Sequence, residues 1–175
     1  MHAPEDYDCP FCAVVRGESR EPPGTQQDDV VLRSPTTTAW IGKRWWENNA
    51  GHVIVVPNLH VENMYDLPRE LAGDIHEAAR QIALALKATY GCDGISTRQH
   101  NEPGGDQDVW HYHLHVFPRY AGDRLYGSSH SETRPEERLP YAERLREALS
   151  DAGLRLQPEP VLGSSPARNL TPASG

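Results

Sequence analysis

The stretch that decides the fold is Trp110-His111-Tyr112-His113-Leu114-His115-Val116-Phe117-Pro118. It carries a histidine at every second position. Because side chains alternate between the two faces of a β-strand, the three imidazoles would project from one face, with Cα atoms about 6.6 Å apart in steps. The residues between them would point to the opposite face, where their apolar character suits a core. A single histidine on a strand is usually a hydrogen-bonded structural residue, but three on one face predict chemistry.

Length and charge limit the class of protein. The chain has 175 residues, enough for one domain of ordinary size with a trailing extension. Its net charge of −8 argues against non-specific binding to nucleic acid, which needs clustered Lys and Arg. No window approaches the roughly 18 apolar residues of a membrane span. Residues 1–8 lack the apolar core of a signal peptide, and a cytoplasmic location is expected.

Near the N-terminus, Cys9 and Cys12 form a Cys-x-x-Cys motif. Two thiolates on a turn serve either a zinc site or a redox pair. A thioredoxin-like redox motif would follow a strand, whereas only eight polar residues precede this one. Zinc is therefore favoured, provided that two further ligands come from elsewhere, and two incidental buried cysteines are the remaining alternative.

Hydrophobic patterning predicts four further strands and two helical regions. The strands are expected at residues 30–32, 36–41, 51–57 and 95–98. A main helix over 66–90, with Asp66 as N-cap and Gly91 as C-terminal stop, has one apolar face. That face consists of Leu71, Ile75, Ala78, Ile82 and Leu86. A capping box beginning at Thr133 precedes a second helix over 141–149, with Pro140 separating its first turn. The strand and helix pattern favours the α+β class, and the expected fold is an antiparallel sheet of about five strands with one main helix and a C-terminal helical extension.

The histidines themselves allow two mechanisms. They could hold a metal ion whose bound water is the nucleophile, or one imidazole could attack phosphorus directly. The polar loop 101–108, which leads into the histidines, could aim backbone N–H groups at an anion. Adjacent Trp45 and Trp46 would face opposite ways, and packing is favoured over base stacking for both. Spacing alone does not decide between the two mechanisms.

The residues around the histidines favour the second mechanism, direct attack by an imidazole, because they resemble a known family. His111-Tyr112-His113-Leu114-His115-Val116-Phe117 resembles the signature of the histidine triad (HIT) superfamily, His-x-His-x-His followed by two apolar residues. Further matches, all in the expected order, are the Cys-x-x-Cys motif, the run 51–57, the Gly-x-Gln-x-Val pattern of 105–109 and the bacterial-type ending at 117–123. The resemblance covers about 9–123 as a HIT domain. It leaves a flexible N-terminus at 1–8, a helical extension at 124–155 and a flexible Pro/Ser/Gly-rich tail at 156–175.

The resemblance implies a role for each histidine. His113, the middle one, would be the nucleophile that takes a nucleoside monophosphate from the α-phosphorus. His115 would contact the phosphate and assist the leaving group, and His52 would join the network behind them. Polar loop positions that the family uses to bind nucleotide are Asn101, Gly105 and Gln107. Water would then release the monophosphate from His113, and no catalytic metal is needed.

The resemblance also implies a structural zinc ion. In zinc-bearing relatives, the Cys-x-x-Cys pairs with a histidine after the Gly-His strand and with the first histidine of the triad. The ligands here would be Cys9, Cys12, His60 and His111. This is a closed Cys2His2 set, without an open position for water.

Three departures from the family pattern concern the substrate. His100 occupies a place where Asn is common, Asp108 replaces a small hydroxyl residue of the phosphoramidase branch, and Gly42 stands where many members have Asp. The resemblance implies a homodimer that binds a purine nucleotide or its conjugate, and neither nucleic acid nor a membrane is an expected partner. The expected activity is hydrolysis or transfer on a nucleoside phosphoramidate or (di)nucleoside polyphosphate. A nucleotide-binding regulatory module with little catalysis and a zinc-water hydrolase are the alternatives.

Overall fold

The structure, a computed structural model, describes residues 2–153. The predicted tail at 156–175 therefore lies outside the described residues. The strands are β1 Val30–Arg33, β2 Thr37–Ile41, β3 Arg44–Trp46, β4 Val53–Pro57, β5 Gly94–Gln99, β6 Leu114–Arg119 and β7 His130–Glu132. The helices are α1 Pro10–Val15, α2 Arg69–Tyr90 and α3 Pro135–Asp151. None of the helices in the described part is long and apolar enough to cross a membrane.

Five strands form one antiparallel sheet in the order β1-β2-β4-β6-β5. β3 and β7 form a separate antiparallel ribbon. The register places four residues in one row across the main sheet: Trp40, Ile54, His115 and Arg98. The predicted α+β class with an antiparallel five-stranded sheet is confirmed.

Each face of the sheet has its own core. On one face, α2 and α3 pack against buried residues of all the inner strands, among them Val53, Val55 and Val116. On the other face, α1 packs against Trp40 and Ile54 through Phe11 and Val14. Because the long helices cover only the first face, the second face remains open beyond α1.

The histidine segment differs from the prediction in one respect. β6 begins only at Leu114, so His111 and His113 lie in the segment that leads into it. The reason is that β5 ends opposite Leu114, and the N–H of Tyr112 donates to the carbonyl of Val61 in a loop instead. The alternation nevertheless holds, since Tyr112, Leu114 and Val116 all enter the core against α2.

The helices begin at different residues from those predicted. α2 begins at Arg69 with Pro68, rather than Asp66, as N-cap, and it ends as expected at Gly91, whose φ is 64°. α3 is one helix that runs through Pro140. Its cap lies one residue later than predicted: the N–H of Arg134 donates to Glu137 Oε2 over 2.7 Å.

A buried ion pair anchors the first turns of α3. The Arg138 guanidinium donates to both carboxylate oxygens of Asp29, each over 2.9 Å. It also donates to the carbonyls of Thr133 and Gly24 over 2.6 and 2.9 Å. This anchor lies within the first turns of α3, and the helix continues through Pro140 although the proline removes one backbone hydrogen bond.

Candidate active site

A cavity of about 320 Å³ opens on the uncovered face of the sheet. Apart from Thr25, its lining falls into three groups. One end is apolar and consists of Phe11, Trp40, Ile54 and Val109. The middle is lined by the imidazoles of His52, His100, His113, His115 and His130. The remaining wall carries Trp46 and the charged residues Lys43, Arg44, Arg98, Asp106 and Asp108.

His113 is held in one tautomer by the backbone. Its Nδ1 lies 2.8 Å from the carbonyl oxygen of His111. A carbonyl only accepts, so Nδ1 carries the proton and Nε2 retains its lone pair on the cavity side. Burial lowers the pKa of His113, although the hydrogen bond to the His111 carbonyl acts in the opposite direction. The arrangement presents an uncharged imidazole nitrogen to whatever occupies the cavity.

His115 and His52 pack behind this nitrogen. The His115 ring lies 5.0 Å from that of His113 and 5.3 Å from that of His52, between ring centroids. Burial lowers the pKa of His115 well below the ordinary value, and His52, His113 and Arg98 add to the effect. Burial, with Arg98 and His113, lowers the pKa of His52 to about 3. Both rings are therefore uncharged at neutral pH.

His52 explains the glycine at position 42. The His52 ring stacks on Phe117 at 4.7 Å between centroids. A Cβ on Gly42 would lie 2.3 Å from His52 Nε2, far inside van der Waals contact. A side chain at position 42, such as that of Asp, would therefore meet the His52 imidazole in this structure.

The four predicted metal ligands do come together. Cys9 Sγ, Cys12 Sγ and one ring nitrogen each of His60 and His111 all lie within 4.8 Å of one another. Sulfur-to-nitrogen separations are 3.2 Å for Cys12 to His60 and 3.4 Å for Cys9 to His111. A tetrahedral zinc ion with ordinary bond lengths requires about 3.6 Å.

The hydrogen bond of His111 also suits a metal ligand. His111 Nε2 lies 3.0 Å from the carbonyl oxygen of Pro57, so Nε2 carries the proton and Nδ1 presents its lone pair to the sulfurs. Among residues 2–153, this is the one group of three or more Cys, His, Asp or Glu side chains with such spacing. The donor set fits zinc, and His113 and His115 are not part of it.

The structure places the predicted nucleotide-binding loop residues outside the cavity lining. Asn101 Oδ1 accepts from the Met64 N–H, and Gln107 Nε2 donates to the Glu62 carbonyl. The Gly105 carbonyl accepts from His100 Nδ1. Backbone N–H groups of the loop are also used internally, by residues 102, 105, 106 and 107. In this arrangement the loop shapes the cavity wall, and the assignment of these three residues to nucleotide stays a prediction.

Two of the three departures from the family pattern face the cavity. His100 uses Nδ1 for the Gly105 carbonyl, which leaves Nε2 for a ligand. Asp108 accepts a hydrogen bond from Arg44 and so forms a charged wall where a hydroxyl residue is common. Trp45 and Trp46 face opposite ways as predicted, but Trp46 lines the cavity while Trp45 packs on the core.

Sequence reasoning missed several lining residues. Trp40, Arg98 and His130 have no motif of their own, because each reaches the cavity only through strand register or chain folding. For Arg98 a signal was present: it is the last residue of the predicted strand 95–98 and lies two residues before His100. For His130 the sequence offers no comparable signal.

Comparisons with known proteins agree with this geometry. The profile of the HIT domain family matches residues 26–122. Protein hit of Bacillus subtilis is 30% identical over 128 residues, 73% of this chain and 81% of the relative. Adenylylsulfatase HINT3 of Arabidopsis thaliana is 27% identical over 123 residues, 69% of this chain and 57% of the relative. The crystal structure of a Zn-bound histidine triad family protein from Mycobacterium smegmatis has a TM-score of 0.68 at 26% identity, covering 83% of this chain and 96% of that one.

Proposed function

The chain belongs to the HIT domain family, and on that basis we propose that it cleaves nucleotide derivatives at the α-phosphorus through a nucleotidylated His113. The substrate class is a nucleoside phosphoramidate, a (di)nucleoside polyphosphate or a related mixed anhydride. The observation that carries the proposal is the bond from His113 Nδ1 to the His111 carbonyl. It presents an unprotonated Nε2 to a cavity of about 320 Å³.

The reaction takes two steps. His113 Nε2 forms a bond to the α-phosphorus, and the bond to the leaving group breaks with its electron pair staying on the leaving atom. The imidazole then carries a positive charge, which the His111 carbonyl stabilises through Nδ1–H. Water next attacks the same phosphorus, the electron pair of the P–N bond returns to Nε2, and the proton of the water is released.

The neighbouring histidines serve the phosphate. His115 is placed beside His113 to donate a hydrogen bond to a phosphoryl oxygen, and an uncharged ring can do so without an ion partner. His52 positions His115, because its ring lies between those of His115 and Trp46. The purine would pack at the apolar end of the cavity, against Phe11, Trp40 and Ile54.

Zinc would be structural in this proposal. Bound by Cys9, Cys12, His60 and His111, it would tie the N-terminal segment to the residue that precedes the nucleophile by two positions. A histidine triad family protein from Mycobacterium smegmatis is described as Zn-bound, which supports zinc as the ion. The ion supplies rigidity, and the proton and phosphoryl transfers belong to the histidines. A homodimer and a cytoplasmic location stay predictions from the sequence.

Chemical trapping tests the nucleophile. The enzyme is incubated with a labelled adenylyl donor and quenched in base, and the adduct is mapped by peptide mass spectrometry. Label is expected on His113 in the wild type and in a His76→Ala control, whose exposed histidine lies on α2 away from the site. Label is expected to be absent in His113→Ala. An active wild-type enzyme that carries label elsewhere, or none under single-turnover conditions, would refute the proposal.

The same samples separate the two alternatives. A zinc-water hydrolase would lose activity promptly on chelation, while His113→Asn would merely weaken its metal binding. The proposed mechanism predicts the opposite order of damage. A regulatory module would bind AMP tightly without turning over either phosphoramidates or dinucleoside polyphosphates.

A further inference from the structure

The cationic wall of the cavity contains one guanidinium without a carboxylate partner. Lys43 Nζ lies 2.7 Å from Glu132, and Arg44 donates to Asp108. Arg98, by contrast, forms no ion pair within 4 Å with any carboxylate of residues 2–153. Its Nε is buried and has no hydrogen-bond partner in that part of the chain.

Aromatic rings hold this guanidinium in place. Arg98 Cζ lies 4.6 Å from the centroid of Trp46 and 5.0 Å from that of Phe117. Stacking of this kind orients a guanidinium while leaving its N–H groups free to donate at the edge. Arg98 is therefore fixed in direction, and its charge is still available to a ligand.

Strand register places Arg98 at a defined point along the substrate. Trp40, Ile54, His115 and Arg98 are successive members of one row across the sheet. At about 4.8 Å per strand, the row spans about 14 Å from the apolar end to Arg98. The histidine that contacts the phosphate stands between them. If the base lies at the apolar end and the α-phosphate lies at the histidines, the group that follows the α-phosphate lies beside Arg98.

From this arrangement we infer that Arg98 binds a second anionic group, joined to the α-phosphate, and so selects substrates whose leaving group is a phosphate rather than an amine. The inference rests on the proposed function and specifies its substrate class. Attack by His113 Nε2 breaks the bond between the α-phosphorus and the bridging oxygen. The electron pair departs on that oxygen, so the leaving phosphate gains one negative charge beside the guanidinium. A leaving amine must instead gain a proton, and a fixed cation there disfavours it.

Two carboxylates on the same wall do not cancel this charge. Asp108 is engaged by Arg44, and Asp106 lies exposed on the loop. Arg98 is therefore the one Lys or Arg of this wall that, among residues 2–153, has no carboxylate within 4 Å. The pattern fixes one anion position rather than a diffuse positive surface.

Equilibrium binding tests Arg98 without relying on turnover. Calorimetry compares AMP with α,β-methylene-ADP, a non-cleavable ligand that differs by one terminal phosphate. The wild type is expected to bind the diphosphate analogue at least about 10-fold more tightly, as charge-assisted hydrogen bonds allow. Arg98→Met should bring the ratio to about 1–2 and leave AMP affinity within about threefold, which also reports that the variant is folded. Arg98→Lys should keep part of the preference.

Lys43→Met is the matched control, because it removes a cavity cation that is already paired. It should retain the wild-type ratio. The Arg98 assignment is refuted if the wild type shows no preference, if Arg98→Met weakens both ligands equally, or if Lys43→Met abolishes the preference as well. Failure of the proposed function looks different: neither ligand would bind, or no label would reach His113 although the diphosphate preference is present and lost with Arg98.

Discussion

The contact between Gly42 and His52 can be tested by adding a single methyl group. Gly42 has an ordinary backbone conformation, so Gly42→Ala creates no backbone strain. Its new Cβ would lie 2.3 Å from His52 Nε2 and 2.5 Å from Cε1. Ordinary contact begins at 3.4 Å, and the ring would have to retreat by about 1.1 Å.

The ring has little room to retreat. His52 is 1% exposed and stacks on Phe117 at 4.7 Å, with the Trp46 ring edge-on at 5.6 Å. Forcing a methyl group into such packing costs about 1–3 kcal/mol. In a His52→Ala background the obstacle is gone, and the same Gly42→Ala change should stabilise the fold by about 0.4–1 kcal/mol, because it restricts the unfolded chain.

The measurement is a double-mutant cycle by urea denaturation with four proteins: wild type, each single variant and the double variant. The sign of the Gly42→Ala effect is expected to reverse between the two backgrounds, which gives a coupling energy of about 1.4–4 kcal/mol. Gly42→Asp should be at least as destabilising as Gly42→Ala in the wild-type background. If Gly42→Ala costs the same with and without the imidazole, the explanation of the glycine is wrong.

Three further changes test the metal site and two buried ion pairs. Cys12→Ser should reduce zinc content from about one ion per chain to a small fraction, measured by atomic emission after dialysis, and lower the melting temperature. Arg138→Met should cost about 3–5 kcal/mol in urea denaturation, because it leaves the buried Asp29 carboxylate uncompensated. The Arg119 guanidinium beside Asp123 holds the pKa of that carboxyl well below its usual 3.8. The contribution of the ionised Asp123 carboxylate to folding stability is therefore complete above about pH 4, and it is lost as the pH falls through the folded-state pKa. Asp123→Asn should therefore destabilise the fold by about 2–3 kcal/mol at pH 7 and by less in acid.

Each of these changes has a control. Cys92→Ser alters a buried cysteine that is not among the four ligands and should leave zinc content unchanged. Arg146→Met removes a guanidinium that donates to two backbone carbonyls, and it should cost clearly less than Arg138→Met. The reasoning on Asp123 fails if the difference between wild type and Asp123→Asn stays constant down to pH 2.

The sequence determined the features that depend on short-range rules. Strand alternation alone separated the histidine face from the core face of 110–118, and the structure confirms that Tyr112, Leu114 and Val116 enter the core. The resemblance predicted that Cys9 and Cys12 share a zinc site with two distant histidines, because zinc sites use a small and recognisable set of donor types. The structure brings these four side chains together. Apolar periodicity likewise located the strands of the main sheet and the main helix.

Only the tertiary structure decided which side chains meet in the cavity. Arg98 becomes a candidate anion-binding residue because strand register pairs it with His115 and aromatic rings from two other segments stack on it. Loop closure occupies the amides of Asn101 and Gln107, which the sequence had offered as nucleotide contacts. Strand pairing, ring stacking and loop closure bring together residues that are far apart in the chain. Local sequence patterns do not predict such contacts, because they carry no information about distances between distant residues.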